Sequence, residues 1–371
     1  MPRGSWKWQL GKHGPGFLQW AEGSQIHLQT FFKLAADLER FLLEHVLVSR
    51  EACQAFVSRV PDVMKRCDED IYDEPWAAPA YAYVHLLERY RRFWHVLVEL
   101  TRARVLPMGD DSIDVLDVGT GPAPALYAVA DFYDAILGYA VDADVPRLAT
   151  PPPNLESVES SKGMMSFVHV FSELARRNGP FFATFLDFRG LMLPRERQMR
   201  VEQQTRQIAD ELDTSEEFAR WWMQENETWW HDVFRYNLCI FSNFLTQAST
   251  VGELRNELGA VFRSLRLGGV VLVVGGTGGH YPEIYEMVDR IAHETGTRPI
   301  DWMPESLPCV YGDDTAQRIK RLYRRVWRRL EEYCGDLTYI CESLPRDLWE
   351  PNTPLRGPTR FGLRVFRKGR W

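Results

Sequence analysis

The sequence predicts an α/β protein in which a helical N-terminal region is followed by a mainly parallel sheet. Apolar residues recur at three- and four-residue steps through much of the first hundred positions, as in amphipathic helices. From about residue 113, short β-branched runs alternate with helical stretches, which is typical of a parallel α/β sheet. A glycine-containing turn follows the first of these runs. With 371 residues, 45% of them hydrophobic and 26% charged, the chain has the composition of a folded globular protein rather than a disordered one.

The N-terminal region contains two apolar stripes that predict two amphipathic helices. No alternating strand pattern interrupts them, and the pattern changes near Met108, just before the first strand-like run. We therefore predict a helical domain over residues 1–105 and an α/β domain over residues 106–371. The stripes consist of Phe31, Leu34, Leu38, Phe41 and Leu42 in the first helix and of Tyr83, Leu86, Leu87, Tyr90, Trp94 and Leu97 in the second.

Seven strands are predicted in the second region. They cover residues 114–118, 155–159, 181–187, 236–242 and 269–275, with a last pair near 337–342 and 360–367. The runs are short and rich in β-branched residues, and helical stretches separate most of them. Such an order predicts parallel strands joined by crossover helices.

Two stretches interrupt this alternation. Residues 138–154 include three successive prolines and predict an inserted loop. Residues 193–232 predict a helical insertion with a capping box, in which Thr214 and Glu217 have the required spacing. Four tryptophans in this insertion either form a lid over a bound substrate or pack against the N-terminal helices. They are Trp221, Trp222, Trp229 and Trp230.

The turn after the first strand is the most informative segment. Asp117 precedes Gly119 and Gly121, and a helix is predicted to begin near Pro124. Glycines let the backbone approach a ligand closely, and the start of a helix presents free N–H groups. A dinucleotide site requires a third glycine where Pro124 stands, so this class of ligand is disfavoured. An acid two residues before the first glycine instead suits a ligand that carries a cationic amino group.

These residues resemble motif I of the class I S-adenosylmethionine-dependent methyltransferases, which is usually written D/E-x-G-x-G-x-G. Asp117, Gly119 and Gly121 match the motif, with Thr120 between the glycines, and Ala123 replaces the last glycine. The resemblance implies a Rossmann-like, seven-stranded methyltransferase sheet with an antiparallel edge hairpin. It also implies S-adenosylmethionine as the cofactor.

A second likeness concerns the acid that binds the ribose in this family. Glu159 follows the predicted second strand, within a segment that resembles the family's D-x-S-x-x-M-L pattern. Forty residues separate it from Gly119, about twice the usual gap, and the insertion at 138–154 accounts for the excess. Asp142 or Asp144 takes this role if the second strand lies elsewhere.

The resemblance also implies the remaining cofactor contacts. Asp187, at the end of the predicted third strand, is the candidate partner of the adenine amino group, and the end of strand 236–242 lies beside the methyl donor. The Ser-Asn-Phe-Leu sequence there lacks the N/D-P-P-Y/F motif of amino-methylating relatives, which counts against that subgroup. The implied cofactor-binding residues are Asp117, Gly119, Thr120, Gly121, Glu159, Ser160, Met164, Asp187, Ser242 and Asn243.

The chemistry implied is methyl transfer to an oxygen or nitrogen atom of a small molecule or a peptide-derived substrate. The cofactor supplies an activated methyl group, so the protein mainly aligns donor and acceptor. His280 follows a glycine-rich loop after strand 269–275 and is the candidate general base. The alternative is that His280 only begins the next helix. His231 and Asp232 form a second, weaker candidate pair. No metal site is expected.

The C-terminal part of the chain is basic. Residues 316–371 contain fourteen Lys and Arg against six Asp and Glu, whereas the whole chain has a net charge of −7. Residues 318–329 and 360–370 either bind phosphates of structured RNA or form solvated surfaces that pair with acidic neighbours. An RNA methyltransferase, or a binding or assembly protein that keeps the fold without turnover, is therefore the alternative function.

The sequence also predicts a cytoplasmic protein. It has no uncharged apolar stretch of the ~18 residues that cross a membrane, and its N-terminus lacks the apolar core of a secretory signal. Six cysteines lie far apart without CxxC spacing. This pattern disfavours a disulfide framework or a zinc module and suggests a reducing compartment.

Overall fold

The structure is a computed structural model that describes residues 10–65, 71–108, 113–175, 206, 209–210, 213–219, 236–308, 313–335 and 360–369. Four helices precede the first strand: α1 (Gly14–Gly23), α2 (Ile26–Phe41), α3 (Arg50–Lys65) and α4 (Ala77–Arg102). A short π-helical turn, Leu42–Val46, extends α2. Both predicted apolar stripes are buried, in α2 with its extension and in α4. The predicted N-terminal helices are therefore confirmed.

A sheet of seven strands forms the centre of the molecule. The strands are β1 (Asp114–Val118), β2 (Asn154–Val158), β3 (Tyr236–Ser242), β4 (Leu265–Gly275), β5 (Thr297–Pro299), β6 (Ser306–Pro308) and β7 (Arg360–Lys368). Their order is β2-β1-β3-β4-β7-β5, and β6 also pairs with β7. The first four are parallel to one another, whereas β7 runs antiparallel to β4, β5 and β6.

The α/β fold class and the antiparallel strand at one side of the sheet are confirmed. The bounds of β1 and β3 agree with the prediction, and β2 ends one residue early, so that Glu159 directly follows it. The number of strands also agrees, but the set of strands differs. The predicted strands 181–187 and 337–342 lie outside the described residues, while β5 and β6 were not predicted. These two strands have three residues each, too few to show a period in the sequence.

Six further helices complete the described fold. They are α5 (Pro124–Asp142), α6 (Lys162–Ala175), α7 (Ala248–Glu253), α8 (Arg255–Arg263), α9 (Tyr281–Glu294) and α10 (Asp313–Cys334). Alternate side chains of each central strand enter two different cores, because successive residues of a strand point to opposite faces. Val115, Leu238 and Leu272 join the N-terminal helices, α5, α6 and α10. Leu116, Cys239 and Val271 join α8 and α9.

The domain division at residue 105 stays a prediction, and the N-terminal helices share a core with the sheet. Buried side chains of α2, α3 and α4 belong to the same apolar cluster as one face of the sheet. No described helix has the length and apolar character needed to cross a bilayer.

The structure describes the first predicted insertion completely and the second only in part. Helix α5 continues through Asp142, so the proline-containing loop is shorter than predicted and begins at residue 143. In the second insertion, Ser215 Oγ accepts a hydrogen bond from the backbone N–H of Phe218 at 3.1 Å. The helix there is thus capped by Ser215, one residue after the predicted cap Thr214. The four tryptophans lie outside the described residues.

Candidate functional site

Strand β1 carries Asp117 into the interior at its carboxyl end. The residue is fully buried, and its Oδ2 accepts a hydrogen bond from Thr120 Oγ1 at 2.7 Å. Its other oxygen, Oδ1, is buried without a hydrogen-bond partner. The pKa of Asp117 is raised to about 7: burial is the main cause, the hydrogen bond from Thr120 lowers the pKa in part, and the negative charge of Glu159 adds to the rise. A cation next to Oδ1 would satisfy this carboxyl group.

The turn after β1 depends on its glycines. Gly119 and Gly121 have φ values of +68° and +53°, a region that side chains with a Cβ rarely adopt. A Cβ on Gly119 would also collide with the ring of Phe244 from the segment after β3. Ala123 precedes α5 with a φ of +60°. The backbone therefore turns sharply from β1 into the start of α5.

Glu159 faces this turn from the end of β2. Its Oε2 accepts a hydrogen bond from the N–H of Gly121 at 2.8 Å, and its Oε1 accepts one from the N–H of Ser161 at 3.0 Å. The carboxylate therefore lies beside the glycine turn, where the resemblance requires the ribose-binding acid. Asp142 lies at the opposite end of α5, about 27 Å along the helix axis from its start. There it accepts a hydrogen bond from Trp20.

Asp73 is a residue of this region that sequence reasoning missed. Its Oδ1 accepts hydrogen bonds from Ser161 Oγ at 2.8 Å and from the N–H of Gly163 at 3.1 Å. Ser161 immediately precedes α6 and Gly163 lies in its first turn, and α6 begins three residues after Glu159. These hydrogen bonds lower the pKa of Asp73 and favour its ionised form. Nothing in the sequence indicates the contact, because 88 residues separate Asp73 from Ser161.

The other predicted cofactor residues have different environments. Ser160 is exposed, whereas Met164 is buried in the apolar cluster beneath α6. Ser242 ends β3 and is buried, and Asn243 follows it with a φ of +49°. The N–H of Asn243 donates to Val274 O at 2.8 Å, which ties this turn to β4. Asp187 and the pair His231 and Asp232 lie outside the described residues.

His280, the candidate base, is exposed at the residue that precedes α9. Its side chain makes no capping hydrogen bond. The preceding loop leaves the carboxyl end of β4, which is the same edge of the sheet as the glycine turn. The position is compatible with a base that reaches a substrate at this edge and with a histidine that only precedes the helix.

A row of polar residues on α4 also borders the glycine turn, and sequence reasoning missed it. Tyr81 Cε1 lies 3.7 Å from the point where a Cβ on Gly121 would sit. The ring of His85 lies 4.6 Å from that of Tyr81, between centroids, and Arg89 donates a hydrogen bond to the Tyr81 hydroxyl. The spacing of four residues places all three on one side of α4. It is also the spacing of the apolar stripe, so the sequence pattern indicated only a packed helix.

The residues around the glycine turn match the chemical groups of the cofactor that the resemblance implies. S-Adenosylmethionine carries a cationic amino group and a ribose with two hydroxyls. Asp117 has a buried oxygen without a partner, and Glu159 is a carboxylate at the adjacent strand end. The turn between them contains Gly119 and Gly121, neither of which has a Cβ. These residues fit the group.

Comparisons with known proteins identify no family for this chain. The sequence matches no protein-family model and no curated relative. In structure, the chain is similar to a candidate class I S-adenosylmethionine-dependent methyltransferase from Listeria monocytogenes, at 11% identity and a TM-score of 0.39, with 92% of this chain and 88% of that chain covered.

Two further solved structures show how broad the similarity is. The CcbJ methyltransferase from Streptomyces caelestis is 12% identical with a TM-score of 0.34, and 76% of this chain and 94% of that chain are covered. The [4+2]-cyclase SpnF is 13% identical with a TM-score of 0.34, with 75% and 80% covered. Likenesses of this size do not extend to function.

Proposed function

We propose that the chain is an S-adenosylmethionine-dependent methyltransferase whose cofactor site is the glycine turn after β1. One observation carries the proposal: the turn of Gly119 and Gly121 lies between a buried, half-satisfied Asp117 and the carboxylate of Glu159. A dinucleotide would place a pyrophosphate at this turn, and two carboxyl groups beside it would repel that anion. A cationic nucleoside suits the same pair of acids.

Each residue of the turn has a defined task in this proposal. Bound S-adenosylmethionine supplies a methyl group on a positively charged sulfur. Asp117 accepts hydrogen bonds from the amino group of the cofactor, and Thr120 orients its carboxyl group. Glu159 accepts the ribose hydroxyls, and Asp73 holds the following turn through Ser161. The protein thus orients the donor, and correct orientation alone lowers the barrier by several kcal/mol.

The acceptor is proposed to be an oxygen or nitrogen atom of a small molecule or a peptide-derived substrate. His280 lies exposed at the carboxyl edge of the sheet, where a substrate meets a cofactor bound at the turn. We assign it the role of general base for a hydroxyl acceptor. Incubation of cell extract with isotopically labelled methyl donor, followed by mass spectrometry, identifies the class of acceptor. A label found on RNA would contradict the substrate class proposed.

Calorimetric titration with S-adenosylmethionine and S-adenosylhomocysteine tests the cofactor site directly. The wild-type chain is expected to bind both. Glu159→Gln keeps the size of the side chain but weakens acceptance of the ribose hydroxyls, so we expect affinity to fall on the order of tenfold to a hundredfold.

Asp142→Asn is the matched control, because it removes one carboxylate at the far end of α5. Its affinity is expected to equal that of the wild type. A wild-type chain that binds neither nucleoside, or an Asp142→Asn loss equal to that of Glu159→Gln, would contradict the proposed site.

A further inference from the structure

The polar row on α4 carries a cation, Arg89, that forms no ion pair with any carboxylate in the part of the chain that the structure describes. Arg89 is partly buried, and the Tyr81 hydroxyl accepts its hydrogen bond. No carboxylate among the described residues lies within ion-pair distance of its guanidinium, whereas Glu88 pairs with Arg92 one turn away. A partly desolvated guanidinium without an ion-pair partner is costly, and a bound anion would offset this cost.

His85 adds a second unused polar atom beside this cation. Its Nε2 is buried without a hydrogen-bond partner. Burial, and then the charges of Arg89 and Arg92, keep the pKa of His85 well below its usual value. The ring is therefore neutral near pH 7, and a neutral imidazole has one N–H to donate.

The position of the cluster relates it to the cofactor turn. Tyr81 contacts the position of Gly121 and stacks edge to face on Tyr72, with 5.1 Å between ring centroids. The guanidinium of Arg92 lies 5.6 Å from the ring of Phe361, at the start of β7. The segment of α4 from Tyr81 to Arg92 thus extends from the glycine turn towards the strand that pairs with the end of β4.

We propose that Arg89 and His85, with Tyr81, form a subsite for a carboxylate next to the glycine turn. The guanidinium donates two parallel hydrogen bonds to a planar carboxylate, and the histidine donates a third. Two molecules bring a carboxylate to this place: the amino-acid end of the methyl donor, or a carboxylated methyl acceptor. The assignment of these sources rests on the proposed function, but the presence of the anion subsite does not.

Two titrations separate the sources. In the first, S-adenosylhomocysteine, which has the carboxylate, is compared with 5′-methylthioadenosine, which lacks it. In the second, the rise in melting temperature caused by benzoate is compared with that caused by the neutral benzamide. Each is measured with and without saturating S-adenosylhomocysteine. Both are performed on the wild type, on Arg89→Gln and on the control Arg102→Gln, which removes the same charge from the exposed end of α4.

If the donor supplies the carboxylate, Arg89→Gln weakens S-adenosylhomocysteine by about tenfold to a hundredfold and leaves 5′-methylthioadenosine unchanged. If the acceptor supplies it, Arg89→Gln leaves S-adenosylhomocysteine unchanged and abolishes the benzoate shift. In either case Arg102→Gln behaves like the wild type. Arg89→Lys keeps the charge but not the planar guanidinium, so we expect it to lose most of the carboxylate binding that depends on Arg89. It replaces Arg89→Gln if the Arg89→Gln variant does not fold.

The subsite is wrong if Arg89→Gln and Arg102→Gln behave alike in both titrations, or if benzamide shifts the wild type as much as benzoate does. A wild-type chain that binds benzoate through Arg89 but neither nucleoside would contradict the proposed function and retain the subsite. The two ideas therefore fail separately.

Discussion

Asp117 is an acid placed where ionisation is unfavourable. Most buried carboxyl groups are paired, and this one has only the Thr120 hydroxyl on one oxygen. Burial raises its pKa to about 7, so the group is partly protonated in neutral solution. A bound cationic amino group would restore the ionised form and release a proton.

Asp117→Asn should stabilise the chain increasingly as the pH rises from about 4 to 7. Over this interval an unfolded chain has already lost the proton of Asp117, whereas the folded chain keeps it, so ionisation favours unfolding. Asparagine cannot ionise, and its side-chain oxygen still accepts from Thr120. The gain in free energy of unfolding relative to the wild type should reach on the order of 3 kcal/mol.

Urea unfolding of both chains at pH 5 and pH 8 measures this gain. The same variant should lose affinity for S-adenosylmethionine, which separates the role of the carboxylate in binding from its cost in stability. A difference between the two chains that does not change with pH would show that Asp117 is ionised throughout.

Single residues also show why part of the site was predictable and part was not. Asp117, Gly119 and Gly121 are adjacent in the chain, so one short pattern contains them. Asp73, before α4, contacts the segment that follows Glu159, and Tyr81 of α4 contacts the position of Gly121, and only folding brings them there. The polar residues of α4, such as His85, could not be recognised as part of a site, because the apolar stripe of the same helix has the same spacing.

Among the elements, helix α10 illustrates how a basic stripe is used. Its apolar residues Ile319, Leu322, Tyr323, Val326 and Leu330 are buried, and Trp327 is partly buried. On the neighbouring side, Glu39 of α2 accepts a hydrogen bond from Arg325 at 2.7 Å and lies 3.8 Å from Arg318. Two of its arginines therefore bind an acid of the protein itself. An RNA surface remains a proposal for the other basic residues of 318–329 and for 360–370.

Glu39→Gln should lower the free energy of unfolding by about 2 kcal/mol. The glutamate is only 6% exposed, so its loss leaves two guanidinium groups with a weaker partner, although the exposure of Arg325 reduces the effect. The control is Glu332→Gln on α10, whose pair with Arg329 is exposed and should contribute less than about 0.5 kcal/mol. Equal losses in urea unfolding would contradict a special role for Glu39.

The elements differ in how much their sequence reveals. Strands β1 and β3 have enough buried β-branched and apolar residues to be bounded from the sequence, and α2 and α4 show complete helical stripes. Strands β5 and β6 form by pairing with β7. A strand of three residues is too short to show an alternating pattern in the sequence, so these two could not be predicted from it. Ser215 is the cap although only Thr214 has a glutamate three residues later, so the capping-box spacing located the start of the helix to within one residue.

For the whole molecule, the main feature is a core that the N-terminal helices share with the sheet. The N-terminal helices and one face of the sheet form one apolar cluster. The sequence indicates where helices stop and strands begin, but it does not indicate whether two regions have separate cores. The division into 1–105 and 106–371 therefore stays a prediction.

A chain that begins at residue 106 should not fold cooperatively. Its sheet would expose side chains such as Leu238, Ile240 and Leu272 that are buried with the N-terminal helices, and each buried aliphatic side chain contributes about 1.5–3 kcal/mol. We expect weak near-ultraviolet circular dichroism and a broad thermal transition. A sharp transition near that of the full chain would establish 106–371 as an independent domain.

The outer side of β7 has a consequence for behaviour at high concentration. Two three-residue strands pair with this side: β6 with the first residues of β7 and β5 with its last residues. Each of them ends in a proline, which has no N–H to donate. A long, exposed edge strand can pair with strands of other chains and so start fibril formation. Here the edge consists of two short strands that end in proline. We therefore expect this side of the protein to resist pairing between the sheets of different molecules.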